Sequence, residues 1–132
     1  MNICKGVVIV LLLLLWQLQT AQAFDLARDI SQRDKFYDIS EWQGALYVAG
    51  YPGHLLKSTD QGKTWQTINT GSDAAFFSFA YFDNKVALMS GPKGLILRTE
   101  DGGATWSKID TGTNNPLFEV KALKGTKKAW AV

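Results

Sequence analysis

The chain has 132 residues, with 14 Lys and Arg against 12 Asp and Glu, one histidine and one cysteine. A formal net charge of +2 gives no electrostatic case for nucleic acid as a partner. The lone Cys4 rules out an intrachain disulfide and a cysteine-based metal site, and no metal cluster can be assembled around the lone His54.

The first 23 residues differ in kind from the rest. Lys5 precedes an unbroken apolar run from Val7 to Trp16, and the segment ends Ala21-Gln22-Ala23. The run is half the length of the roughly 20 residues needed to cross a bilayer, and the small-x-small ending suits signal peptidase, so residues 1–23 read as an export signal cleaved before Phe24. Once it is removed, the rest carries no thiol and no stable membrane span. The expected destination is the periplasm, or the medium by secretion. Residues 24–35 form a lead-in that suits either a short helix or an outer strand completing a final sheet.

From Phe36 onward the sequence repeats. Ser58-Thr59-Asp60-Gln61-Gly62-Lys63-Thr64-Trp65 and Thr99-Glu100-Asp101-Gly102-Gly103-Ala104-Thr105-Trp106 are near-copies 41 residues apart. The same shift maps Phe36 onto Phe77 and Phe118, Gly50 onto Gly91, Gly53 onto Gly94 and Gly71 onto Gly112. A period of about 40 to 50 residues built from short apolar runs is the mark of a β-propeller whose unit is one four-stranded blade. A helical array is excluded, because no repeat holds a long stretch of apolar residues at 3.6 spacing, whereas Ala45-Leu46-Tyr47-Val48-Ala49 and Leu95-Ile96-Leu97 suit strands.

The expected strands of the first blade (36–76) are Phe36 to Ser40, Ala45 to Ala49, His54 to Ser58 and Trp65 to Asn69, from innermost to outermost. In the second (77–117) they are Phe77 to Tyr81, Val86 to Met89, Leu95 to Thr99 and Trp106 to Asp110. A third blade begins at Phe118 and stops at Val132, inside the unit. Two blades and part of a third would leave apolar faces and a strand edge open, so the expected fold is an all-β partial propeller truncated from a larger ring. A short chain closing its ring by oligomerisation is the alternative.

The repeated block belongs in the turn between the third and fourth strands. There Asp60 and Asp101 can accept N–H groups of following residues, Gly62 and Gly103 supply positive φ, and Thr64 and Thr105 restart the strand. Trp65 and Trp106 are expected to bury large rings against the blade and its neighbour. Ser58 and Thr99 open the two blocks. Every position has a structural task, so these Asp, Ser and Thr residues are read as scaffold and not as catalysts.

The block, Ser/Thr-x-Asp-x-Gly-x-Thr-Trp, resembles the Asp box of the bacterial neuraminidase repeat. The stretch Gly91-Pro92-Lys93-Gly94-Leu95-Ile96-Leu97-Arg98-Thr99-Glu100-Asp101-Gly102-Gly103-Ala104-Thr105-Trp106 is most similar to the photosystem II stability and assembly factor branch, and the likeness runs from about Phe36 to Val132. The first repeat follows it less closely, with His54-Leu55-Leu56 in the middle and Gln61 for the first Gly of the pair. The resemblance implies a seven-bladed, exported propeller that binds a protein partner, such as a membrane complex under assembly; no cofactor is expected. In photosynthetic members the thylakoid lumen is the site.

Sialidases share the Asp box, so an exported glycoside hydrolase is the competing expectation. Sialidases clamp the substrate carboxylate with an arginine triad whose first member lies in an Arg-Ile/Leu-Pro motif, and neither Arg-Ile-Pro nor Arg-Leu-Pro occurs here. Glu41, Asp73 and Glu119 show no pairing of the kind that flanks a scissile glycosidic bond. Binding without catalysis is therefore the leading expectation. In an up-and-down blade the turns between strands two and three and the links between blades share the end opposite the Asp boxes. The candidate contact residues there are Tyr51, Pro52, Pro92 and Lys93 in the turns, with Ser72, Asp73, Asn114 and Asn115 in the links. His54 is expected on a half-exposed strand start. Lys121, Lys124, Lys127 and Lys128 read as a solvated edge and loop.

Overall fold

The computed structural model describes residues 34–132, so the export signal and all of the lead-in before residue 34 lie outside the described residues. Lys35, placed in the lead-in from sequence, opens the first strand. Three antiparallel sheets follow one another along the chain. The first orders β1 (Lys35–Trp42), β2 (Ala45–Tyr51), β3 (His54–Ser58) and β4 (Gln66–Thr67) in sequence. The second does the same with β5 (Ser78–Tyr81), β6 (Ala87–Ser90), β7 (Ile96–Thr99) and β8 (Ser107–Ile109). The third pairs β9 (Val120–Ala122) with β10 (Ala129–Ala131). Their first strands lie side by side, β1 against β5 and β5 against β9. This is the radial stacking of an all-β partial propeller.

Packing occurs between blades, as it must where each sheet is too small to bury its own faces. Ala45, Tyr47, Ala49 and Leu55 of the first blade meet Phe79, Ala87, Met89 and Leu97 of the second, with Phe76 and Leu95 completing one core. The opposite face of the second blade presents Ala80, Phe82, Leu88 and Ile96 to Val120. Tyr47 lies parallel to Phe79, with ring centroids 5.6 Å apart.

Two strand expectations need correction. The outer strands are shorter than Trp65–Asn69 and Trp106–Asp110, because the two tryptophans still belong to the preceding turn. In the first blade the ladder closes at Leu56↔Thr67, one further bond from the Ile68 N–H to the Leu55 carbonyl follows, and Asn69 then turns its side chain to the Gly71 N–H at 2.9 Å. The innermost strand runs past Ser40 to Trp42, because Gln43 and Gly44 close a two-residue hairpin with φ of 57° and 73°, a left-handed pair that matches the strand twist.

The first strand is also bulged. Phe36 pairs with Gly50 and Asp38 with Ala49, so Tyr37 is skipped in the β1–β2 register. A one-residue slip turns every later side chain to the other face. Asp38, Ser40 and Trp42 consequently face the second blade, whereas Phe79 and Tyr81, their counterparts at the 41-residue shift of Asp38 and Ser40, face back toward the first. Trp42 is 1% exposed and donates from Nε1 to the Asp83 carbonyl at 2.7 Å.

Candidate functional site

The two ends of this blade stack are chemically different. At one end the β2–β3 and β6–β7 turns meet the links that lead into the next blade. The Gly53 N–H donates to Ala74 O at 3.1 Å and the Phe76 N–H to Gly50 O at 3.1 Å. In the next repeat Gly94 N–H reaches Asn115 O at 2.7 Å and Leu117 N–H reaches Gly91 O at 3.0 Å. The approach is close enough to demand glycine: a Cβ on Gly94 would stand 1.9 Å from the Thr113 carbonyl, and one on Gly53 2.2 Å from that of Ser72. Turn and link therefore form one surface in each blade.

The predicted contact residues gather there. Tyr51, Pro52 and Asp73 are exposed in the first unit, and Ser72 is half-buried. Lys93, Asn114 and Asn115 are exposed in the second, with Pro92 half-buried. The two turns are built differently. The first contains a cis Tyr51–Pro52 bond, while Lys93, which stands at the Pro52 position, has a left-handed φ of 55° that proline cannot adopt. His54 is not the half-exposed surface residue expected. Its side chain is 14% exposed, with Nε2 3.2 Å from Asp34 Oδ1 and the ring beside Phe36.

Sequence reasoning missed an aromatic row at this same end. Tyr37 meets Phe77 edge-on at 5.5 Å between ring centroids, and Phe77 stacks on Phe118 at 5.4 Å. Tyr37 and Phe118 are 50% and 65% exposed. The signal was present in the recurrence of Phe36, Phe77 and Phe118, but the bulge substitutes Tyr37 for Phe36 as the first member of the row.

At the other end lie the Asp boxes, identical in their bonding. Ser58 Oγ donates to Asp60 Oδ1 at 2.8 Å and accepts the Gly62 N–H at 2.8 Å. Asp60 then takes the Thr64 N–H on Oδ1 at 2.9 Å and the Thr64 hydroxyl on Oδ2 at 2.6 Å. Thr99, Asp101, Gly103 and Thr105 repeat this at 2.8, 2.9, 2.9 and 2.5 Å. The near N–H groups thus go to the Ser or Thr hydroxyl, and the carboxylate spans to the residue four positions on. Held first by the threonine hydroxyl and then by its N–H, the carboxyls of Asp60 and Asp101 are both lowered to about 2. Gly62 and Gly103 have φ of 87° and 93°. Trp65 and Trp106 are only half-buried, less than expected from sequence. Trp106 folds over its own turn, donating from Nε1 to Gly103 O at 3.2 Å.

Polar pins between blades were also beyond the sequence pattern. Asp38 Oδ2 accepts the Phe79 N–H at 2.7 Å and the Ser78 hydroxyl at 3.2 Å. Gln43 Nε2 donates to Asn84 O at 2.7 Å and Gly102 O at 3.1 Å, tying the first hairpin to the second blade's Asp box.

A family model for photosynthesis system II assembly factor YCF48 matches residues 27–129. Among curated proteins no significant match was found. Nine chains of solved structures match. One of them, described as YCF48 bound to D1 peptide, is similar with a TM-score of 0.64 and 24% sequence identity over 80% of this chain, a likeness that concerns the fold. The present chain spans 37% of the length of that one.

Proposed function

Because the chain belongs to the photosynthesis system II assembly factor YCF48 family, we propose that it acts as an exported, non-enzymatic binding protein that holds a protein partner while a membrane complex is assembled. The observation that carries this reading is the surface at the loop-rich end. Exposed Tyr51, Tyr37 and Phe118 supply apolar area there, Lys93 supplies charge, and Ser72, Asp73, Asn114 and Asn115 supply polar groups around it. Aromatic side chains bury much area at small entropic cost, which makes Tyr51 the anchor, with the lysine and the polar rim setting orientation. An extended peptide is the partner form that suits such a row, in keeping with the description of a family member bound to a D1 peptide. The carboxylates of the Asp boxes are held by their own turns, which supports scaffold work in place of hydrolysis. The apolar segment from Val7 to Trp16 supports export, to the periplasm or to the thylakoid lumen of a photosynthetic cell.

The test is capture of the assembling complex by the full-length protein carrying Tyr51→Ala together with Lys93→Glu. Loss of capture with an unchanged circular dichroism spectrum is expected, and unchanged capture removes the assignment. Turnover of a fluorogenic sialoside or glucan by the complete protein would overturn the non-enzymatic reading.

A further inference from the structure

Opposite the loop-rich end, the β5–β6 and β9–β10 turns lie together, joined by the Gly125 N–H donating to Phe82 O at 3.4 Å. The second of these turns is internally braced. The Leu123 N–H reaches Lys128 O at 3.0 Å, the Thr126 hydroxyl reaches Leu123 O at 2.8 Å, and the Lys128 N–H reaches Thr126 Oγ1 at 3.1 Å. This fixes Lys124, Lys127 and Lys128 on one short rigid turn, all exposed, with exposed Lys85 on the neighbouring one. Between them is a cleft of about 100 Å³, room for a single side chain, floored by Phe82 and Val86 and rimmed by Asp83, Arg98, Thr126 and Lys127.

Most nearby anionic groups already have partners. Asp83 Oδ1 accepts the Lys85 and Val86 N–H groups at 2.7 and 2.9 Å, and Asp101 is bound within its own turn. Glu100 Oε1 accepts two N–H groups of Arg98, from Nε at 2.9 Å and a terminal nitrogen at 2.8 Å, but the Glu100 side chain is 71% exposed, so an incoming carboxylate competes for the guanidinium in solvent. Lys124 donates to the Tyr81 hydroxyl at 2.8 Å. Among the described residues, Lys85, Lys127 and Lys128 form no ion pair. Lysines on a solvated loop were the sequence expectation; the structure adds an apolar-floored cleft among them.

We propose that this inter-blade cleft is a second docking site, for an acidic segment of a partner protein, with one glutamate-like side chain entering between Arg98 and Lys127. The methylenes would lie on Phe82 and Val86, and the carboxylate would replace Glu100 at the guanidinium, where Arg supports two-pronged binding. Lys124, Lys128 and Lys85 would meet flanking carboxylates. A duplex or an anionic lipid surface fits less well, because the cleft has room for one side chain with an apolar stem against Phe82 and Val86, which a backbone or headgroup phosphate lacks. The site is separate from the loop-rich end, so it stands or falls independently of the function proposed above.

The test is fluorescence anisotropy of a labelled hexaglutamate peptide with the full chain, against a hexaglutamine peptide, a DNA duplex and phosphatidylglycerol vesicles. Binding of hexaglutamate alone is expected, weakening with salt and falling roughly tenfold in Lys127→Glu, the size of two lost surface pairs. Lys63→Glu, an exposed lysine at the same end in the first Asp box, is expected to leave binding unchanged. Lys127→Gln gives the same reading with a smaller loss should the charge reversal misfold. Equal loss in Lys63→Glu, tighter binding to duplex or vesicles, or no binding of hexaglutamate would each overturn the proposal.

Discussion

The Asp-box carboxylates lie at the surface, yet they titrate as if held, because the threonine four residues on offers both hydroxyl and N–H and the Ser or Thr two residues back offers a second hydroxyl. All of these donors favour the ionised form, and both groups are lowered to about 2 from an ordinary value of 3.8. Asp83 is shifted in the same direction by the N–H groups of Lys85 and Val86. A carboxyl whose folded pKa is depressed stabilises the fold fully above its unfolded pKa and loses that contribution as pH falls toward the folded one. Stability should therefore drop between about pH 4 and pH 2. Asp101→Asn should lower the urea midpoint at pH 7 and flatten its fall across that window by about one bound proton. An unchanged slope would mean that the turn does not hold the charge. The residue pattern announced these two turns, since Asp, Gly, Thr and Trp recur at fixed spacing. It did not announce which hydroxyl takes which N–H, because Ser, Thr and Asp can all serve as acceptors for a nearby amide.

At the scale of strands, the 41-residue period made the order of strands legible, as did the apolar runs at Ala45–Ala49 and Leu95–Leu97. What it concealed is that the repeats are not superposable copies. The first blade closes its inner hairpin with two left-handed residues, Gln43 and Gly44, while the second uses the longer Asp83-Asn84-Lys85 loop held by the Asp83 side chain. The Tyr37 bulge reconciles the difference, and side-chain facing in β1 is reversed by it. Trp42 enters the inter-blade core for that reason, packed on Tyr47 and Phe79 and standing 3.3 Å from where a Cβ on Gly103 would be. Pattern matching aligns Trp42 with Asp83 and assigns it no core role. Trp42→Ala should cost about 3–5 kcal/mol in urea unfolding. Trp42→Phe, which keeps most of the ring contact and loses the bond to the Asp83 carbonyl, should cost nearer 1–3 kcal/mol. Trp65→Ala, at a half-buried turn position, should cost less than Trp42→Ala; a larger loss at Trp65 would place the main inter-blade contact at the Asp box.

The described part of the molecule is a row of sheets in which each touches only its neighbours, so its stability is a sum of intrinsic and interface contributions along one direction. The second blade has a packed interface on both faces, with the Tyr47–Leu97 core on one side and the Val120 cluster on the other. Among the described residues the third has an interface on one side only, and Ala129, Trp130 and Ala131 of its β10 are all exposed. Amide hydrogen exchange should reproduce that order. β6, paired on both edges with β5 and β7 and buried along its length, should open only with the whole unit. Among the described residues β10 has β9 as its one strand partner, and in a chain of these 132 residues its amides should exchange roughly a hundredfold or more faster through local opening. Trp130 and Phe118 point the same way from their side chains, since among the described residues each leaves more than half of its surface uncovered at this margin. Raising the protein concentration in the exchange experiment separates two causes of protection. If β10 becomes as slow as β6 only at high concentration, its open edge is being paired by a second molecule. If it is as slow at every concentration, the one-dimensional account of the fold is wrong, and some contact beyond those between neighbouring blades holds the third sheet in place.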